Sequence, residues 1–402
     1  MSSRAPVPAP SDLAGRSVDL VLKDSVRFGL GRVAELPELV REAGGSRALV
    51  VTDPGVVRSG VAATVERALA AGGIPAATWA EVEPNPGTST IVRGSTALRD
   101  HGTDGTVVVA LGGGSAMDTA KALSLHAMNP AGGPWDLGWD DPALTPGRPV
   151  VAIPTTAGTG AETNFFGVIT DEAAGRKSYI GHRSLLPVGC VLDPELTVGL
   201  PPAATAATGI DAMTHSLESL LSKNPNPFAE AIALFVIRTV GEWLPRAVAD
   251  GSDREARSRM LFASHLAGVG QASGTGVGLV HAIGHSLGAR GKLPHGTALA
   301  AVLPECLAFD IPVRSRELAL VGVALGVASP AEPAEVAARA AVAGVEALIR
   351  RVDQRRTLRE LGLGPEAHAQ LVRDTLDDPA INNTPRMPDA AEVSGILATV
   401  AG

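Results

Sequence analysis

An α/β nucleotide-binding domain followed by an all-helical domain is the architecture this sequence predicts, on three observations. The first 200 residues alternate short apolar runs with amphipathic stretches, the pattern of βα units. One of those runs, TVVVAL, passes directly into three glycines and a helix-like segment, GGGSAMDTAKALSLHA. Beyond Pro202 the strand-like runs stop, and successive amphipathic helices follow, among them 228–243, 254–270 and 334–351. The expected layout is a loose tail over 1–14, an α/β domain over 15–200 and a helical domain over 201–402.

Composition bounds the partners. A chain of 402 residues, 45% of them hydrophobic, can bury two or three sizeable cores. A net charge of −8 argues against nucleic acid as a main partner, since following phosphates needs a basic excess. Cys190 and Cys306 have no paired spacing, so neither a disulfide framework nor a thiolate zinc site is expected, and a reducing cytoplasm is the expected location. The opening MSSRAPVPAPSD lacks the apolar core of a secretory leader. The longest apolar run, 318–328, falls short of the ~20 residues of a membrane span, so no membrane partner is expected.

In chain order, GLGRVA at 29–34 matches a relaxed dinucleotide fingerprint, but Gly29 and Gly31 read as turn glycines ahead of an amphipathic stretch over 33–43. The buried strand ALVVTD then ends in Asp53. An acid there can accept from the adenosine ribose hydroxyls and repel a 2′-phosphate, which favours NAD over NADP; it can equally cap the helix after Pro54. A helix over 61–71 leads to EPNPG, where Asn85 reads as a turn residue. At GGGS, Gly113 and Gly114 let a pyrophosphate approach the backbone, while Ser115 and the helix start supply donors; tight strand–helix packing is the other use of such glycines. After a Pro- and Gly-rich loop, the strand PVVAIP runs into TTAGTG, where the hydroxyls of Thr155, Thr156 and Thr159 suit uncharged ribose and amide groups.

Chemistry concentrates in GTGVGLVHAIGHSLGARGKLPHG, residues 274–296, which holds three of the nine histidines. His281 and His285 are four apart and stack on one helix face, and His295 returns from a Gly- and Pro-containing loop. Asp211 and His215 repeat the four-residue spacing upstream. One carboxylate and several imidazoles suit a divalent metal with an open position, whereas a lone helical histidine is more often a packing or capping residue.

VHAIGHSLG with PHG, DAMTH upstream, GGGS-x-x-D-x-A-K and NNTPR near the end make the chain resemble the iron-containing alcohol dehydrogenase family, over nearly its whole length. That resemblance implies a metal-dependent NAD(H) oxidoreductase acting on a small alcohol or aldehyde, with one divalent ion (Fe2+ in most of the family, Zn2+ as the alternative) and a homo-oligomer, often a dimer. It implies Asp211, His215, His281 and His295 as metal ligands and His285 as the proton-handling residue. It also places Asn85, Asp118 and Lys177 at the cofactor, beside Asp53, Gly113, Gly114, Ser115, Thr155, Thr156 and Thr159.

Two departures stand out. Ala272 occupies a position where many family members have Phe, which implies a substrate bulkier than ethanol, with Phe165 and Phe166 as an opposing wall. Leu299 stands where an Asn often follows PHG. Rival readings are a maleylacetate reductase, a lyase of the dehydroquinate synthase type and a non-catalytic scaffold. The first is disfavoured by Asp118 and the third by the intact set of ligand types.

Overall fold

The computed structural model describes residues 25–172 and 176–402, so the expected tail at 1–14 lies outside the described residues. The chain forms two compact units that meet in sequence between Leu200 and Pro201.

Among its described residues the first unit holds eight strands, β1 (Val26–Phe28), β2 (Arg47–Val51), β3 (Ala76–Trp79), β4 (Thr106–Gly112), β5 (Val150–Pro154), β6 (Phe166–Asp171), β7 (Arg176–Gly181) and β8 (Gly189–Leu192). Its helices are α1 (Leu36–Glu42), α2 (Pro54–Arg58), α3 (Val61–Ala71), α4 (Thr88–His101) and α5 (Gly114–Met128). Six strands make one sheet in the order β1-β8-β5-β4-β2-β3, every pairing parallel, while β6 and β7 form a separate antiparallel hairpin. Parallel strands are covered on both faces, hence their unbroken apolar runs. Val50, Val107, Val109, Val151 and Val191 pack with Leu36 and Val40 of α1 and Val65 and Leu69 of α3 on one face. The alternate residues Leu49, Val51, Val108 and Ala110 are equally buried.

The strand order fixes where a ligand fits. The chain leaves β2 toward β3 on one side and leaves β4 toward β5 on the other, so the connections diverge between the neighbours β2 and β4. Open α/β sheets bind ligands in the crevice beyond the carboxyl ends of strands at such a switch point. Asp53 and Gly112–Ser115 follow those two strands.

The second unit is helical throughout its described residues: α6 (Pro202–Leu221), α7 (Pro227–Ala249), α8 (Arg254–Gly270), α9 (Leu279–Gly291), α10 (His295–Leu325), α11 (Ala334–Arg351), α12 (His368–Asp377) and α13 (Ala390–Thr399). The expected helices 61–71, 254–270 and 334–351 coincide with α3, α8 and α11. Two expectations change. The stretch over 33–43 splits into a 3-10 turn and α1, because Pro37 fits the first turn of a helix but not its interior. Helix α7 runs on through a buried Pro245 where the sequence suggests a stop near Trp243.

Helix α10 corrects a third expectation. At 31 residues it is long and apolar enough, by length and composition, to cross a bilayer, which a search for unbroken apolar runs overlooks because Glu305 and Asp310 interrupt it. Of its most apolar window 67% is buried inside the fold, as the central helix of a bundle must be.

Candidate metal and cofactor sites

Three helices of the second unit bring the chemistry together, and small residues set how closely they approach. His295 opens α10 and is followed by Gly296, where any Cβ would overlap the Ala207 carbonyl of α6, one turn before Asp211. Leu299, one turn further along α10, packs fully buried onto Gly284 of α9, between His281 and His285, so the apolar residue at this position seats one ligand-bearing helix on the next.

The convergence point is Asp211 Oδ1. His215 Nδ1 lies 3.6 Å from it, His295 Nε2 3.7 Å and His281 Nε2 3.8 Å. Ligands bound tetrahedrally at roughly 2.0–2.2 Å are themselves roughly 3.3–3.6 Å apart, so this spacing is close to that of a coordination shell. Asp211, His281 and His295 gather within 4.8 Å of one another. His215 stands outside that tight trio, its ring stacked on His281 with centroids 4.8 Å apart. Asp211 Oδ1 and His281 Nε2 are buried and have no hydrogen-bond partner. Orphaned buried polar atoms cost about 1–3 kcal/mol each, and a cation between them would satisfy both, so the donor set fits a divalent ion.

Sequence reasoning missed two carboxylates. Glu218, seven residues beyond Asp211 on the same face of α6, accepts from the Val280 amide at 2.7 Å and from His281 Nδ1 at 2.5 Å. Burial opposes its ionisation, but facing His281 and the hydrogen bonds from His281, Gly278 and Val280 outweigh this and hold its pKa below the ordinary value. For His281 burial likewise works against charge, and Glu218 with Asp211 overrides it, raising its pKa. The spacing Asp211, His215, Glu218 was the available signal, since i, i+4 and i+7 share a helix face. The second carboxylate, Asp378, sits 2.9 Å from His285 Nδ1 and had no local signal, being 93 residues away in sequence. His285 itself packs between His281 and His295, with ring centroids at 5.8 and 5.5 Å. The NNTPR segment braces the approach to α9, with Asn383 donating to the Val277 carbonyl. Ala272 lies half-buried in the π-helical turn that ends α8.

In the α/β unit the predicted residues collect around the switch point. Asp53 Oδ1 accepts from the Gly55 and Val56 amides and so caps α2. Its Oδ2 would lie 3.5 Å from a Cβ at Gly112, which aims it at the glycine turn, so one carboxylate has an oxygen for each of the two roles the sequence left open. Gly112 has φ 146°, a value that needs glycine. A Cβ at Gly113 would meet Thr156 Cγ2 at 3.2 Å and one at Gly114 would meet Thr159 Cγ2 at 2.9 Å, so the two glycine-rich turns lie against each other. The Thr155 amide donates to the Gly112 carbonyl, tying them at the root. The first intrahelical bonds of α5 run from Ala116 and Met117 to the Gly113 carbonyl. The amides of Gly114 and Ser115 are therefore those that a helix start presents to an anion. Asn85 adopts φ 51° and its carbonyl accepts from Thr170, a turn role.

Asp118 is pushed up to about 6 by burial, against the pull of Lys121 3.9 Å away, an amide hydrogen bond from Val168, and Lys177. Lys177 lies on β7 opposite Thr170 of β6. Lys121, fully buried, donates to the carbonyls of Ala161 and Asn164, to Asn164 Oδ1 and to the Phe166 carbonyl, and thus pins the hairpin to α5. Phe165 and Phe166 form an aromatic cluster with Trp139 and Tyr179, with centroids 5.6–6.2 Å apart. The GLGRVA turn is occupied by protein, since Asp193 accepts from the Gly31 and Val33 amides, in keeping with turn glycines there.

Known proteins match this chain over most of its length. The model of the iron-containing alcohol dehydrogenase family matches residues 24–194, and that of the family's C-terminal part matches residues 205–401. The probable alcohol dehydrogenase EutG of Salmonella typhimurium is 35% identical over 370 residues, covering 92% of this chain and 91% of the relative. An NAD-dependent methanol dehydrogenase of Bacillus methanolicus is 32% identical over 370 residues, covering 92% and 96%. Among solved structures, a 1,3-propanediol oxidoreductase superposes with a TM-score of 0.91 at 31% identity, covering 96% of this chain and 100% of the other.

Proposed function

This chain belongs to the iron-containing alcohol dehydrogenase family, and on that premise we propose that it is a metal-dependent, NAD(H)-linked oxidoreductase interconverting a primary or small secondary alcohol with its aldehyde or ketone. The observation that carries the reading is the convergence of three imidazoles on the buried Asp211 Oδ1, with that oxygen and His281 Nε2 lacking a hydrogen-bond partner.

Asp211, His281 and His295 would hold the ion, with His215, whose ring stacks on His281, as the fourth ligand. A divalent ion bound there supplies Lewis acidity toward an alcohol or carbonyl oxygen. Asp211 offsets its charge, and the imidazoles and carboxylate accommodate Fe2+ or Zn2+. His285, held at Nδ1 by Asp378, exchanges the hydroxyl proton at Nε2. In the α/β unit, Gly113, Gly114 and Ser115 receive the pyrophosphate. Asp53 Oδ2 receives the adenosine ribose, and Thr155, Thr156, Thr159, Asn85, Asp118 and Lys177 bind or orient the remaining polar groups of the dinucleotide. The bound nicotinamide supplies or accepts the hydride. Phe165, Phe166 and Ala272 are the residues we assign to substrate size selection, and a homodimer in the cytoplasm is the form we expect.

Following NADH absorbance with metal-replete protein and a graded aldehyde panel tests this reading. Oxidation that disappears on chelation and returns with Fe2+ or Zn2+ is expected, with bulkier aldehydes favoured over acetaldehyde. No oxidation with any carbonyl would overturn it.

A further inference from the structure

Glu218 makes three contacts that its neighbours on α6 do not. Its Oε1 accepts from the amides of Val280 and His281, at 2.7 and 3.4 Å, and its Oε2 accepts from His281 Nδ1. Those amides belong to the first turn of α9, whose flanking Gly278 offers no side-chain cap. A helix start leaves its first amides without intrahelical acceptors, and here a carboxylate from another helix receives them. Gly278 permits the approach, since a Cβ there would stand 3.3 Å from Glu218 Oε1. Alongside it, Thr275 Oγ1 donates to Ser219 and Ser222 Oγ donates to the Thr275 carbonyl, so the segment entering α9 is stitched to α6 at successive positions.

The consequence for His281 follows from donor and acceptor chemistry. An ionised carboxylate only accepts, so Nδ1 carries the hydrogen in this contact and Nε2 is the atom turned toward Asp211, 3.8 Å away. We propose that Glu218 is the positioning residue of the metal centre, fixing at once the start of the helix that bears His281, the register of that helix against the one bearing Asp211, and the His281 nitrogen offered to the ion. This rests on the reading of Asp211, His281 and His295 as ligands given above.

The proposal separates Glu218 from an ordinary buried polar residue. Glu218→Gln keeps an amide oxygen that can still receive the Val280 and His281 amides, but its nitrogen cannot accept from Nδ1. Glu218→Asp keeps the acceptor but shortens its reach. The experiment uses the full-length protein stripped of metal and titrated with Co2+ in competition with a chromophoric chelator, with the visible Co2+ bands and the melting point of the metal-free protein recorded alongside. Loss of an outer carboxylate typically weakens metal binding by about 10–100-fold. Glu218→Gln is expected to show that loss with altered Co2+ bands and a metal-free melting point near wild type, and Glu218→Asp is expected to recover part of the affinity. Co2+ affinity and bands in Glu218→Gln matching wild type, while wild type binds the ion, would overturn the proposal and leave the ligand assignment standing. Wild-type protein that binds no Co2+ would overturn both.

Should Glu218→Gln fail to fold, nitrogen NMR of histidine-labelled, zinc-loaded wild type decides, with His281 assigned from the spectrum of His281→Gln. A proton on Nδ1 and zinc on Nε2 are expected; the reverse arrangement would overturn the proposal.

Discussion

The two candidate sites of this protein are built in opposite ways. In the helical unit the site is made of side chains: Asp211, His215, His281 and His295 converge through buried helices, and Glu218 and Asp378 hold the imidazoles from behind. In the α/β unit it is made of backbone: Gly112–Gly114, the start of α5 and the threonine turn leave a surface with few side chains, edged by Asp53 and Asp118. A metal centre needs charge and geometry held against solvent, whereas a pyrophosphate needs close approach to amides. The first is therefore intolerant of any change in its donors, and the second is intolerant chiefly of added bulk.

The largest test of that contrast is removal of a donor. Asp211→Ala should abolish tight metal binding and lower kcat/KM with an aldehyde by on the order of 10³-fold, given the several kcal/mol that a catalytic ion supplies. Metal content by elemental analysis alongside steady-state rates checks it, and near-normal metal content would break the contrast.

Added bulk should separate the two regions next. Gly296→Ala sets a Cβ on the Ala207 backbone carbonyl, which cannot rotate away, so a loss of about 3 kcal/mol in denaturant unfolding is expected. Gly114→Ala meets the Thr159 side chain, its methyl at 2.9 Å and its hydroxyl at 3.3 Å, which can turn where a backbone carbonyl cannot, so its stability loss should stay under about 1 kcal/mol while NADH binding weakens measurably by fluorescence titration. Equal destabilisation by the two substitutions would contradict this.

Buried charge gives a pH test confined to the α/β unit. Burial raises Asp118 from 3.8 to about 6, so between those values the folded protein keeps a proton that the unfolded chain has lost. Stability from this group is therefore present below about pH 4 and declines until about pH 6. Asp118→Asn removes the decline, so its advantage over wild type should grow by roughly 2–3 kcal/mol between pH 4 and pH 7 in urea melts of the apoprotein. A gap that stays constant across that range would contradict the assignment.

The smallest effect divides the two oxygens of Asp53. Asp53→Ala should lose the α2 cap, at about 1 kcal/mol, along with preference for NAD. Asp53→Asn should keep the cap and most of the stability while admitting NADP more readily, as judged by the ratio of kcat/KM for the two cofactors. Unchanged cofactor preference in both variants would leave Asp53 as a cap alone.

What could be read from the sequence follows the same division. Repeated four-residue spacings paired Asp211 with His215 and His281 with His285 because helices α6 and α9 convert sequence spacing into shared faces, whereas the choice of candidate ligands, His295 among them, came from the family resemblance. The glycine run announced the candidate nucleotide turn because a strand, three glycines and a helix form a local unit. Glu218 obeyed the spacing rule but was passed over because glutamate on a helix is ordinarily solvated, and Asp378 reaches His285 through tertiary structure alone. The carbonyl cage around Lys121 and the use of both Asp193 oxygens by the GLGRVA turn were likewise invisible, since they depend on distant segments meeting. The length of α10 escaped because apolar faces interrupted by acids do not read as one run.

The most direct test is anomalous diffraction from crystals of the protein loaded with Zn2+ or Fe2+. One peak per chain is predicted, at about 2.0–2.3 Å from Asp211 Oδ1, His281 Nε2 and His295 Nε2, with the His215 ring rotated to complete the shell. A loaded crystal with no peak there, or with its ion bound elsewhere, would contradict the account.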